Sequence, residues 1–100
     1  KPVIGTAYSG NLEFMTPENS GLVGYRMVPI LRGEYLYDDP RFEWADPDVD
    51  EAAHLMRRLV DDAAFRSRLA AAGQRTVRER FNRERTASLI RDRLETLGIL

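Results

Sequence analysis

The chain has 100 residues, of which 43% are hydrophobic and 31% are charged, and this balance excludes a disordered or a fibrous protein. It contains no cysteine, which excludes disulfides, thiolate metal sites and a cysteine nucleophile. No stretch reaches the ~18 apolar residues of a membrane-spanning helix, and no basic-then-apolar leader opens the sequence. We therefore expect a single cytoplasmic domain.

Charge is distributed unevenly along the chain. Residues 1–54 hold four Lys/Arg against ten Asp/Glu, a net charge of −6, whereas residues 55–100 hold eleven Arg against six Asp/Glu, a net charge of +5. A basic half is able to meet phosphate, a membrane surface or nucleic acid. The arginines, however, recur at helical spacing among acidic residues, which is typical of the solvated face of amphipathic helices. This pattern disfavours nucleic acid, and peripheral contact with a membrane stays an open alternative.

The first 25 residues predict a βαβ unit. Residues 3–7 form a short run of small and β-branched side chains without polar alternation, as in a strand of a parallel sheet covered on both faces. Residues 9–15 predict a turn that enters one or two helical turns. Residues 20–25 then predict a second short strand, parallel to the first.

Residues 26–47 predict a long loop rich in aromatic side chains. The hydrophobic periodicity fades there, and Tyr35, Tyr37, Phe42 and Trp44 stand among Gly, Asp and Pro. Long loops without regular structure tend to be functional or to wrap a surface. Two interpretations stay open: the aromatics anchor the loop to the body of the protein, which we favour, or they form a binding platform.

Residues 48–100 predict helices only. Asp48 is placed to cap the first helix, with Glu51 completing a capping box, and a second helix is expected from about Ala63. Asn82 is placed to cap a last helix that Gly98 closes. The expected inward faces are Ala52, Leu55, Met56, Leu59 and Val60 in the first helix, Phe65, Leu69, Ala72, Thr76 and Phe81 in the second, and Ala87, Leu89, Ile90, Leu94 and Leu97 in the last. The fold class is therefore α/β, with two short parallel strands followed by three or four α-helices.

Neither a metal site nor a catalytic group is predicted. His54 is the only histidine, lies on the polar side of its helix, and has no second ligand three or four residues further on. Asp46, Asp48 and Asp50 alternate as calcium ligands do, but they lack the central glycine and the distal glutamate of a calcium loop, so helix capping explains them better. We expect neither a metal nor another cofactor.

The turn after the first strand is the best candidate for a binding site. In doubly wound folds the end of a parallel strand, followed by a turn and a helix start, presents free backbone N–H groups to anionic ligands. Gly10 would let a phosphate or a sugar approach the backbone closely, and Ser9 and Asn11 would add side-chain donors. The alternative is an ordinary strand-to-helix turn, since such turns also use Ser, Gly and Asn.

The order of several motifs resembles the C-terminal segment of retaining glycosyltransferases with the two-domain GT-B fold, of the family-four type. The motifs are "KPVIGT", "SG" two residues later, Glu13, "ENSGLV", "WADPD", "EAAHLMRRLVDD" and "LAAAGQRTVRERF". They span essentially the whole chain. The resemblance implies a Rossmann-like nucleotide-sugar-binding domain, with Thr6, Ser9, Gly10, Asn11 and Glu13 as the substrate-binding residues.

The implied activity is transfer of a sugar from a nucleotide-diphosphate-sugar donor to an acceptor such as a glycan or a lipid-linked saccharide. Ser9 departs from the family pattern, because it replaces the first glycine of the usual Gly-Gly pair. The family's paired glutamates, eight positions apart, would lie before Lys1. We therefore expect residues 1–100 to be the C-terminal portion of the donor domain and to be inactive in isolation.

Two alternatives come from other functional classes. One is a stand-alone, Arg-rich helical module that binds an acidic partner or nucleic acid. The other is a homo-oligomer formed through an open sheet edge at residues 3–7, since an unpaired edge is a template for strand pairing.

Overall fold

The computed structural model describes residues 1–36 and 39–100. Along the chain lie strand β1 (Ile4–Thr6), a 3₁₀ helix (Ser9–Glu13), strands β2 (Gly21–Val23), β3 (Tyr25–Pro29) and β4 (Glu43–Pro47), and helices α1 (Val49–Asp61), α2 (Ala63–Arg80) and α3 (Arg83–Thr96). The fold is mixed α/β. The predictions of two parallel strands and of three helices after residue 48 are confirmed.

The parallel pair forms the centre of the molecule. In its register Ile4 lies opposite Gly21 and Thr6 opposite Val23. The crossover between the strands contains a five-residue 3₁₀ helix, which agrees with the one or two helical turns predicted there. Helix α1 packs against both strands, and Leu55 of α1 lies over Gly21.

The predicted loop over residues 26–47 is wrong at both ends, where the structure has two strands. Strands β3 and β4 form a separate antiparallel pair in which Arg26 lies opposite Asp46, with 3.0 Å between guanidinium and carboxylate. Most residues of this pair are exposed on both faces, so no alternation of apolar and polar residues marks the strands in the sequence. Of the aromatics assigned to the loop, Tyr37 lies outside the described residues.

Helices α1 and α3 begin at the predicted caps, with one difference, and α2 begins at Ala63 as expected. The Asp48 carboxylate accepts a hydrogen bond from the Glu51 N–H at 2.9 Å, and Asp62 and Asn82 cap α2 and α3 in the same way. The capping box is wrong in its second half. The Glu51 carboxylate accepts from the Gly24 N–H at 2.6 Å, while the Asp48 N–H donates to the Gly24 carbonyl at 2.8 Å. Glu51 therefore ties α1 to the end of β2 rather than to its own cap.

The core among the described residues is small, and its side chains come from the crossover, from β2 and from α2. Its buried hydrophobic side chains are Met15, Val23, Phe65 and Leu69. The guanidinium of Arg58 in α1 stacks on the Phe65 ring, 3.9 Å from its centre, and so joins α1 to α2.

Helix α3 does not pack as predicted. None of its fourteen residues, all of which the structure describes, is buried, and of the expected inward face only Leu94 is half-buried. Phe81, expected inward on the second helix, is 46% exposed and contacts Phe14 edge to face. The radius of gyration is 18.3 Å, compared with about 13 Å for a compact domain of this length. The apolar side chains of α3 are therefore exposed and are able to contact another domain or chain.

Candidate functional site

The predicted site lies where β1 ends. Thr6 is the last residue of β1, and the chain then turns through Ala7 and Tyr8 into the 3₁₀ helix that begins at Ser9. Tyr8 has extended backbone, and its N–H donates to the Thr6 carbonyl at 2.8 Å. This tight reversal places the start of the 3₁₀ helix at the carboxyl end of the parallel pair, where sheets of this kind bind ligands.

Ser9 has a left-handed backbone conformation, with φ at 67°. A residue with a Cβ pays roughly 1–2 kcal/mol for this conformation, which glycine adopts freely. In the family pattern that the sequence resembles, glycine stands at this position, and Ser9 holds a backbone conformation that glycine would adopt without strain.

Gly10 faces open space. A Cβ added at Gly10 would have no atom of the protein within 4 Å, and its φ is not positive. Within the chain, a residue with a Cβ would therefore fit at position 10 without a steric clash or backbone strain. In residues 1–36 and 39–100 the N–H groups of Ser9 and Gly10 find no hydrogen-bond acceptor. Both amides are free to meet a ligand or water.

The Asn11 side chain is committed to the fold. Its Nδ2 donates to the Thr6 carbonyl at 2.8 Å and lies 3.3 Å from the Met15 sulfur. The Asn11 amide nitrogen therefore has partners within the chain, and the role of Asn11 as a side-chain donor to a ligand stays a prediction. The Oδ1 atom of Asn11 keeps its acceptor capacity.

Glu13 lies apart from the other predicted residues. It lines an open cavity of about 550 Å³ beside the end of α2 and the start of α3, together with Arg80, Phe81 and Arg85. The structure thus brings Thr6, Ser9, Gly10 and Asn11 into one turn, while the side chain of Glu13 belongs to a different surface.

A cleft of about 440 Å³ opens beside the turn and contains residues that the sequence did not assign to the site. It is lined by Thr6, Tyr8 and Asn11 from the turn and by Trp44 and Ala45 from β4. Tyr8 was missed because no local signal marks it. The sequence named Trp44 only among the aromatics of residues 26–47. The interpretation of those aromatics as a binding platform was the one indication that Trp44 belongs to a site.

No residue that lines the cleft carries a charge, and the carboxylates with a shifted pKa lie elsewhere in the chain. The Arg41 side chain hydrogen-bonds to Asp39 and lowers the pKa of that carboxyl, and the same contact raises the pKa of Arg41. A hydrogen bond from the Thr16 side chain lowers the pKa of Glu18. His54 is exposed on α1, and residues 1–36 and 39–100 contain no cluster of three or more metal-ligating side chains.

No family model, no curated protein and no solved structure matches this chain. Within the described ranges, no helix combines the length and the apolar character needed to cross a membrane.

Proposed function

We propose that this chain is the C-terminal portion of the donor domain of a retaining GT-B glycosyltransferase. The intact enzyme would transfer a sugar from a nucleotide-diphosphate-sugar donor to a saccharide acceptor. The observation that carries the proposal is the left-handed Ser9 at the carboxyl end of β1. A left-handed backbone is a conformation that glycine adopts without strain, and glycine is the residue that the family pattern has at this turn, which it places near the donor.

The surroundings of the turn support the same assignment. The amides of Ser9 and Gly10 find no acceptor in the described part of the chain, and Gly10 leaves the space above its Cα open. A backbone that presents free N–H groups without a side chain in front of them suits a phosphate or a sugar hydroxyl. Asn11 supports this turn through its bond to the Thr6 carbonyl and therefore acts as a positioning residue.

The exposed apolar side chains at the end of the chain support the proposal that this segment packs against another part of a larger protein. Large apolar side chains of α3 and of the residues after it are more than half exposed, among them Leu89, Ile90, Leu97 and Leu100. Apolar surface on this scale usually marks a contact with another domain or chain.

The test begins with the reading frame upstream of Lys1. We expect it to encode a Glu, seven residues and a second Glu shortly before this segment. The protein expressed with its upstream sequence should transfer sugar from a nucleoside-diphosphate sugar, whereas the 100-residue chain should show no turnover with the same donors and acceptors. Absence of the glutamate pair, together with no binding of any nucleotide sugar by the longer protein, would refute the proposal.

The two alternatives are tested separately. An Arg-rich binding module would gather its arginines into one stripe, but Glu79, Glu84, Asp92 and Glu95 are interspersed among those of α2 and α3. Salt-dependent binding of duplex DNA or RNA at micromolar protein would favour that module over the enzyme. Pairing through the open edge of β1 predicts a dimer in sedimentation, and a monodisperse monomer would exclude it.

A further inference from the structure

The cleft beside the turn has the chemistry of a site for a neutral, polyhydroxylated ligand. Its lining residues are Thr6, Tyr8, Asn11, Trp44 and Ala45, and none of them carries a charge. The lining therefore offers no charged side chain for a charge-assisted bond to a phosphate or a carboxylate, and no carboxylate to pair with an ammonium group. The cleft is shallow and open to solvent, with a volume of about 440 Å³, and it combines aromatic side chains with a few polar groups, as small-molecule sites do.

Several polar groups of the cleft have no hydrogen-bond partner among the described residues. The Thr6 and Tyr8 hydroxyls and the Trp44 indole N–H make no hydrogen bond to any described residue. The Oδ1 atom of Asn11 is likewise an unused acceptor, because only its Nδ2 is bonded. Hydroxyls both donate and accept, the indole N–H donates and the amide oxygen accepts, so the set matches the alternating hydroxyl groups of a sugar ring.

The two aromatic walls are held in place by backbone and ring contacts. The Tyr8 ring packs edge to face on Tyr25, with 5.0 Å between ring centres and 62° between planes. Trp44 lies on β4 opposite Val28 of β3. Both side chains are nevertheless 40% exposed, so neither is used to fill the core. Aromatic surfaces that are exposed but restrained bind the C–H face of a sugar at a low cost in side-chain entropy.

We propose that this cleft binds a neutral saccharide ring between Tyr8 and Trp44. Binding as such stands on the cleft alone. The role of the bound ring, either the glycosyl group of the donor or a sugar of the acceptor, rests on the proposed function. The diphosphate of a donor would lie outside the cleft, at the free amides of Ser9 and Gly10.

Trp44 is the only tryptophan of the chain, so its fluorescence reports on this cleft directly. We would titrate the 100-residue chain with maltotriose, mannotriose and chitotriose, and in parallel with UDP and GDP. The expected result is a saturable change in emission with at least one trisaccharide below ~50 mM, in the range of weak saccharide affinities. Tyr8→Ala should weaken that binding about tenfold, because one wall of the cleft is lost.

Phe42→Ala is the matched control. Phe42 is also an exposed aromatic near β4, at 41% exposure, but it does not line the cleft. Its substitution should leave the saccharide affinity within about twofold of the original. Circular dichroism confirms that each variant is folded. A response to UDP and GDP but to no saccharide, or equal losses in Tyr8→Ala and Phe42→Ala, would overturn the proposal.

Kinetics of the protein with its upstream sequence separate the two sources of the ring. A rise in the KM of the acceptor in Tyr8→Ala and Trp44→Phe assigns the cleft to the acceptor, and a rise in the KM of the nucleotide sugar assigns it to the donor. Saccharide binding by the chain without any transferase activity in the longer protein supports the cleft and removes the proposed function. The opposite result is transferase activity with unchanged KM values in both variants and no fluorescence response. It would refute saccharide binding in the cleft and leave the proposed function intact.

Discussion

Asn19→Asp tests a side chain with four hydrogen bonds, and it changes a single group, from NH₂ to oxygen. Asn19 is 6% exposed. Its Nδ2 donates to the Phe14 carbonyl at 2.8 Å and to the Thr76 hydroxyl at 3.0 Å. Its Oδ1 accepts from the Thr16 N–H and from the Ser20 hydroxyl, both at 2.8 Å. The side chain therefore ties the turn before β2 to α2.

The substitution removes both donations and keeps both acceptances. Each lost bond contributes about 1 kcal/mol, and an acceptor left unsatisfied at a buried site adds about 1–3 kcal/mol. The Phe14 carbonyl would face the new carboxylate oxygen, so it is the group left unsatisfied. The expected loss in the free energy of unfolding is about 3–5 kcal/mol, a large share of the 5–15 kcal/mol typical of a domain. At about 4–8 °C per kcal/mol in a domain of this size, the melting temperature should fall by roughly 12–40 °C.

Urea denaturation at pH 7, followed by circular dichroism, measures the loss, and Asn82→Asp is the matched control. The Nδ2 of Asn82 donates to the Arg78 carbonyl at 2.8 Å on the exposed end of α2, and Asp caps a helix as well as Asn does. That variant should stay within about 0.5 kcal/mol of the original protein. Thr76→Val removes two bonds, the one accepted from Asn19 Nδ2 and the one donated to the Ala72 carbonyl, and should cost about 1–2 kcal/mol. If Asn19→Asp were as stable as Asn82→Asp, the assignment of Asn19 as the link between the turn and α2 would be wrong.

Three further predictions concern the turn, the link to α1 and an exposed ion pair. Ser9→Gly should raise the free energy of unfolding by about 0.5 kcal/mol, because relief of the left-handed strain exceeds the entropic cost of glycine; unchanged or lower stability in urea would contradict this. Glu51→Ala should cost about 1 kcal/mol and speed hydrogen exchange at the Gly24 amide, which loses its 2.6 Å acceptor; unchanged exchange at that amide would count against the link. The pKa of Asp39 is lowered in the folded state. The stabilisation from its contact with Arg41 is therefore complete above the usual carboxyl pKa and is lost as the pH falls through the folded-state pKa. An NMR titration should show Arg41→Ala raising the Asp39 pKa toward its ordinary range, while the backbone N–H of residue 41 keeps its bond to the carboxylate; an unchanged Asp39 pKa would contradict the role of the guanidinium.

The sequence by itself determined the features that depend on neighbouring residues. The caps at Asp48 and Asn82 are short-range, because a side-chain oxygen meets a backbone N–H three residues further on. The closing glycine is also local, since Gly98 has φ at 67° and its N–H bonds back to the Glu95 carbonyl. Strand β1 could be predicted for the same reason, from a run of side chains without polar alternation, but its three residues are half-buried where the sequence predicted a strand covered on both faces.

Only the tertiary structure decided the pairing of the exposed strands β3 and β4, the second partner of Glu51 and the packing of α3. Each of these depends on which distant segment lies nearby, and a carboxylate such as that of Glu51 has the same local signature whether it caps its own helix or bonds to Gly24. The cleft is the clearest case. Tyr8 and Trp44 are 36 positions apart in the sequence, and only the placement of the hairpin beside the end of β1 brings them to one surface.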